Sequence, residues 1–267
     1  MTNFRQLWDE SGEAYEGYTS AYPQYRDTNR RIVELAGIAP DQVVVDLACG
    51  TGLTASAIEE KLAGTGKVYC LDFSEDMLEQ AKRHVKGDNV NFLQAPAEDI
   101  ADSVPEPADR IVCNAAFWQF ANKSAVLAGI KKILKPGGRF VFNLPQQFYE
   151  MEGESHRGEI VKAIFDELRK RGYEPEGSMA PKFSESTLRD LVSGHGLRVD
   201  RIHIDEFEGT TLDDGIAFFR IPAVAPFFEG VPEAVKDEIL RTVRNRLIAS
   251  YQITPNRWAY VVVGNQM

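Results

Sequence analysis

Residues 43–52 read VVVDLACGTG, and the reading of this stretch decides the fold. Val43, Val44 and Val45 are consecutive β-branched residues without polar alternation, the pattern of a parallel strand covered on both faces. Asp46 falls at the carboxyl end of that strand, the edge at which open α/β sheets bind ligands. Gly50 and Gly52 let the chain turn sharply and let a ligand approach the backbone without meeting a Cβ. Residues 53–58 then predict a helix whose amino end faces the same ligand.

The glycine spacing alone leaves two readings open, because residues 50–55, GTGLTA, also satisfy the loose dinucleotide fingerprint with alanine in the third place. Three features weigh between them. Asp46 would set negative charge against a pyrophosphate and instead suits a ligand carrying an ammonium group. A second strand, Val68 to Leu71, ends in Asp72, about 20 residues past the last glycine, the distance at which an acidic side chain holds ribose hydroxyls. Residues 134–144, LKPGGRFVFNL, give a helix end, a Pro-Gly-Gly turn and a fifth buried strand.

Together these features resemble the class I S-adenosylmethionine-dependent methyltransferases of small-molecule type, densely from about Arg30 to Leu144 and more thinly beyond. Strands are expected at about 43–47, 67–71, 90–94, 109–114, 139–144, 197–206 and 257–264, with helices between most of them. The resemblance implies an α/β, Rossmann-like, doubly wound seven-stranded sheet whose last strand runs antiparallel beside the fifth. Residues 1–267 read as one methyltransferase domain, with a tyrosine-rich lid segment over 1–31 and helical, substrate-side insertions over 145–183 and 207–256.

The same resemblance assigns the cofactor S-adenosylmethionine to named positions. The turn formed by Ala48, Gly50, Thr51 and Gly52, with the helix behind it, would meet the methionyl carboxylate; the positive end of a helix favours such a group by roughly 0.3–1 kcal/mol. Asp46 would face the ammonium and Asp72 the ribose. Phe73 and Met77 would sandwich the adenine. Pro96 stands where an aspartate commonly binds the exocyclic amine, so the Ala97 N–H and the Glu98 carboxylate are the edge partners that remain. Asn114 and Ala115 would lie beside the methionyl ammonium.

The acceptor side is less defined. Trp118, after the fourth strand, offers an indole face to a nearby cation; Tyr18 and Tyr22 share one face of a helix; and His156 is the histidine best placed to act as a base. Each has a packing alternative, as do Phe218, Phe219, Phe227 and Phe228. In-line alignment alone supplies roughly 7–11 kcal/mol to such a transfer, so a strong base is not required, and O, N, C and S acceptors all stay open.

A formal net charge of −10 over 267 residues disfavours nucleic acid as a partner. The first residues lack a basic-then-apolar signal and no apolar run approaches the roughly 18 residues of a membrane span, so a cytoplasmic chain with no membrane association is expected. Cys49, Cys70 and Cys113 show no ligand spacing, and neither a metal nor a disulfide is expected. Two other readings stand: a regulatory protein that binds S-adenosylmethionine without turnover, and an NAD(P)-dependent oxidoreductase. The oligomeric state is left open.

Overall fold

The computed structural model describes residues 4–22, 24–153, 157–175 and 182–265. Its strands are β1 (Val43–Leu47), β2 (Lys67–Asp72), β3 (Val90–Gln94), β4 (Ala108–Cys113), β5 (Leu134–Pro145), β6 (Leu197–Phe207) and β7 (Asn256–Asn265). They form one sheet in the order β3-β2-β1-β4-β5-β7-β6. Strands β1 to β5 pair in parallel, while β7 inserts antiparallel between β5 and β6. The order reverses between β1 and β4, and a ligand crevice opens at such a switch point.

The described helices are α1 (Phe4–Asp9), α2 (Gly12–Ala21), α3 (Gln24–Ala36), α4 (Leu53–Leu62), α5 (Glu75–His84), α6 (Ile100–Ser103), α7 (Lys123–Ile133), α8 (Gly158–Lys170), α9 (Glu185–Ser193), α10 (Leu212–Phe218) and α11 (Glu233–Leu247). One face of the sheet packs Val45, Leu47, Ile111 and Phe142 against α7 and α9 through Leu127, Ile130 and Leu188. Its other face packs Val44, Val68, Val141 and Tyr260 against α3 and α4 through Ile32, Val33 and Ile58. All five β1 residues are therefore buried, Asp46 among them, as a parallel strand covered on both faces demands.

The two insertions pack on each other. Ile160, Ile164 and Leu168 of α8 meet Ile216 of α10 and Leu240 and Val243 of α11 in a separate apolar cluster. Phe219 and Phe228 are buried in that cluster, with Phe218 and Phe227 against it, so the packing role holds for all four. Tyr18 and Tyr25 form a smaller cluster with Ile221, which joins the amino-terminal segment to the second insertion.

One boundary differs from expectation. The fifth strand starts at Leu134 rather than 139 and absorbs the Pro-Gly-Gly segment, with a register shift against β4 between Ala108 and Arg110. Gly137, at φ 75°, takes up the irregularity that a residue with a Cβ would resist.

Candidate functional site

The carboxyl ends of β1, β2 and β3, with the segment after β4, frame a cleft of about 230 Å³. Five expected residues line it: Ala48, Asp72, Phe73, Ala97 and Glu98. Pro96 lines it too, so the residue in the place of the usual aspartate presents an apolar edge.

The turn after β1 is built for close approach. Gly50 has φ 53°, and no atom lies within 4 Å of where its Cβ would stand. Gly52, the N-cap of α4 at φ 85°, is required for a different reason: a Cβ there would come within 2.9 Å of Val85 Cγ2 and 3.1 Å of Ala81 Cα. Ala48 and Ala115 also adopt the left-handed region, at φ 57° and 55°, although neither is glycine. Such strain costs about 1–3 kcal/mol and gathers at ligand sites. Here it marks the ends of β1 and β4.

The two acidic residues have opposite environments. Asp72 Oδ2 accepts the Gly50 N–H at 2.9 Å and Oδ1 accepts the Ser74 N–H at 3.0 Å. Burial nevertheless pushes its carboxyl up to about 6, those backbone bonds offsetting only part of the effect. Asp46 is 1% exposed, and neither oxygen has a hydrogen-bond partner among the described residues. Burial first, then the Asp72 charge, pushes it up to about 8, opposed by the nearby Ala55 N–H, which does not reach hydrogen-bond geometry with either oxygen. A buried carboxyl without partners is costly unless a donor is brought to it. An ammonium group beside the glycine turn fits that need, and ribose hydroxyls fit the lone pairs left on Asp72.

The family described as "Methyltransferase domain" matches residues 38–174, which carry the turn, both carboxylates and the strand that follows. The chain belongs to the class I S-adenosylmethionine-dependent methyltransferases. Among curated relatives of this family, it is 29% identical over 172 residues to a ubiquinone/menaquinone biosynthesis C-methyltransferase of Shewanella pealeana, covering 61% of this chain and 62% of the relative. It is 26% identical over 210 residues to a trans-aconitate 2-methyltransferase of Acidovorax sp., covering 78% of each. The chain thus spans about 62% of the length of the first of these relatives. Among solved structures, phosphoethanolamine N-methyltransferase 2 of Haemonchus contortus, bound to S-adenosylhomocysteine, superposes with a TM-score of 0.60 at 17% identity, covering 100% of this chain and 61% of that one. That likeness shows the shared methyltransferase fold.

The other expected site residues fall in three places. Met77 is buried and does not line the cleft; its N–H is held by Ser74 Oγ, the N-cap of α5, at 3.3 Å. Thr51 is buried with its carbonyl 2.9 Å from His84 Nδ1, and His84 Nε2 lies 3.1 Å from Glu16 of α2. His84, exposed at the end of α5, thus joins the glycine turn to the amino-terminal segment.

Asn114 enters an amide chain at the mouth of β4. Its Nδ2 donates to Asn29 Oδ1, which also accepts the Thr54 hydroxyl at 2.9 Å. Asn143 Nδ2 donates to Asn114 Oδ1 and Asn143 Oδ1 accepts the Ala115 N–H, both at 2.6 Å. The strained Ala115 is thereby held. Asn143 had a signal in the sequence, as a polar residue inside an apolar strand; Asn29 had none.

Tyr18 and Tyr22 do share a face, with ring centroids 4.6 Å apart, and Tyr18 is buried. Trp118 stacks on Phe148 at 4.9 Å and lies 6.3 Å from Trp258, outside the cleft lining, whereas its neighbours Gln119, Phe120 and Ala121 form the cleft wall. The Trp8 indole N–H bonds Gln119 Oε1 at 2.9 Å, so α1 reaches the cleft lip. His156 lies outside the described residues. No group of three or more His, Cys, Asp or Glu side chains placed to hold a metal occurs among the described residues, and no described helix is long and apolar enough to cross a membrane.

Proposed function

We propose that this chain transfers a methyl group from S-adenosylmethionine to a small-molecule acceptor. The observation that carries the reading is the pair of buried carboxyls flanking the glycine turn, Asp72 with backbone donors and Asp46 with none. Bound there, S-adenosylmethionine would supply an electrophilic methyl group on a positively charged sulfur, open to in-line displacement by an O, N, C or S lone pair.

The chain's own part is to bind, align and exclude water. Asp46 would take the ammonium and Asp72 the ribose diol. Phe73 and Pro96 offer apolar surface to the adenine from the cleft wall. The Ala97 N–H and Glu98 remain the edge partners, although Glu98 Oε1 also accepts the Asn122 N–H at 3.2 Å. Asn114 and Ala115, fixed by Asn29 and Asn143, would bound the methionyl end. His84 and His195 are committed to backbone carbonyls, which supports catalysis by alignment rather than by either of these as a base.

A formal net charge of −10 supports a metabolite rather than a nucleic acid as acceptor. The free buried thiols Cys49, Cys70 and Cys113 are consistent with a cytoplasmic location. Residues 1–31 and the insertions over 145–183 and 207–256 are proposed to govern acceptor choice. The named relatives act on a quinone precursor and on trans-aconitate, and both are small molecules.

The test is turnover. Incubation with S-adenosylmethionine and a fractionated metabolite extract should release S-adenosylhomocysteine in an extract-dependent way. Tight cofactor binding without release from any fraction would favour a regulatory protein instead.

A further inference from the structure

Arg157, just before α8, is 6% exposed, yet it meets no carboxylate among the described residues. Its Nη2 donates to the Tyr18 hydroxyl at 3.0 Å, its guanidinium lies 3.7 Å from the centroid of the Phe218 ring, and its Nε has no partner among the described residues. Arginine is rarely buried without a counter-ion, because the ring face and a neutral hydroxyl replace only part of the lost hydration. Burial raises the Tyr18 and Tyr25 phenols above their ordinary value, so neither supplies the missing negative charge.

A small cavity of about 10 Å³ adjoins this guanidinium, bounded by Tyr25, Thr28, Arg157, Asn256 and Trp258. Its position is informative. Thr28 precedes Asn29, the residue bonded to Thr54 and Asn114 at the methionyl end of the cleft. Trp258 lies 6.3 Å from Trp118, which follows β4. The cation is thus joined to the proposed methionyl end through Thr28 and Asn29, and it touches Tyr18 and Phe218 of the two segments proposed to select the acceptor.

We propose that Arg157, with Tyr25, Thr28 and Asn256 around it, is an anion subsite that takes a carboxylate group of the acceptor. The space is water-sized in this state, so entry moves Tyr18 and Phe218 outward with α2 and α10. A planar guanidinium with an unused Nε–H matches a carboxylate in a two-bond fork. One buried positive charge balances one carboxylate charge, whereas a phosphate dianion would leave a second charge uncompensated. The acceptor role rests on the methyl-transfer reading above; anion binding by itself does not.

The probes are benzoate and hexanoate, their amides, and phenyl phosphate, each titrated into the full chain with and without saturating S-adenosylhomocysteine. At least one carboxylate should bind about tenfold or more tightly than its amide. Arg157→Gln should abolish that preference while keeping S-adenosylhomocysteine affinity. If this variant does not fold, the wild-type comparison still decides, together with a shift of the Arg157 Nε–H resonance on carboxylate addition. Equal binding of acid and amide, absence of binding by every probe, preference for phenyl phosphate, or a preference that survives in Arg157→Gln would each overturn the proposal. Failure of S-adenosylhomocysteine to bind, with the carboxylate preference intact, would instead count against the methyl-transfer reading.

Discussion

Asp72 accepts the Gly50 N–H on Oδ2 at 2.9 Å, so the end of β2 fixes the turn that leaves β1. One carboxylate thereby shapes the approach to the glycine turn and keeps lone pairs for a ligand. Asp72→Ala should weaken S-adenosylhomocysteine binding by roughly 1–3 kcal/mol, the range for losing charge-assisted hydrogen bonds. Asp72→Asn, which keeps an acceptor oxygen, should lose less. Calorimetry on both variants checks this, and unchanged affinity in Asp72→Ala would remove the residue from the site.

Asp46 gives a pH signature. Its carboxyl is pushed up to about 8 in the folded chain, against about 3.9 in an unfolded one. Between these values the unfolded chain has released a proton that the folded chain retains, so the stability of the ligand-free protein falls as pH rises from about 4 to about 8. Asp72, up to about 6, adds the same sign over the lower part of that window. Asp46→Asn should therefore melt higher than the wild type near pH 8, with the gap closing near pH 5. Ligand binding should show the reverse. An ammonium favours the ionised carboxylate, so wild-type affinity for S-adenosylhomocysteine should climb from about pH 6 to pH 8, and Asp46→Asn should bind weakly throughout. Parallel melting curves for variant and wild type across this range would contradict the buried, unpartnered state of Asp46.

Trp118 stacks on Phe148 and lies close to Trp258, which bounds the cavity at Arg157, while its neighbours Gln119, Phe120 and Ala121 line the cleft. Trp118→Ala should cost about 2–4 kcal/mol of folding stability, at or below the usual range for a buried aromatic because the ring is only half-buried. It should also raise the apparent KM for the acceptor while leaving S-adenosylhomocysteine affinity nearly unchanged. Trp118→Phe, which keeps the stack, should recover most of the stability. Normal kinetics in Trp118→Ala alongside a lowered Tm would assign the ring to packing alone.

The centre of the sheet was legible because β1 and β7 announce themselves through burial: Val43 to Val45 and the apolar run of β7 are covered on both faces. The proposed cofactor edge was legible where the expected chemistry needs a residue type at a fixed distance, as with Asp46, Gly50, Gly52 and Asp72. Met77 was ambiguous, since its spacing after Ser74 suits both an adenine contact and the buried side of α5, where the structure places it. Contacts between distant segments left no local trace. Asn29 touches Asn114 across 85 positions and Arg157 meets Tyr18 across 139, distances over which periodicity carries no information. His84 was unreadable for a related reason: its partners, Thr51 and Glu16, come from a turn and a helix that only the fold brings together.

The central claim is that the glycine turn with Asp46 and Asp72 forms an S-adenosylmethionine site, and direct titration of the purified chain tests it. S-adenosylhomocysteine and S-adenosylmethionine should each bind at one site per chain, with affinity unaltered by a chelator, while NAD(H) and NADP(H) should bind far more weakly. Preference for a nicotinamide dinucleotide, or S-adenosylhomocysteine binding that disappears with the chelator, would contradict the account.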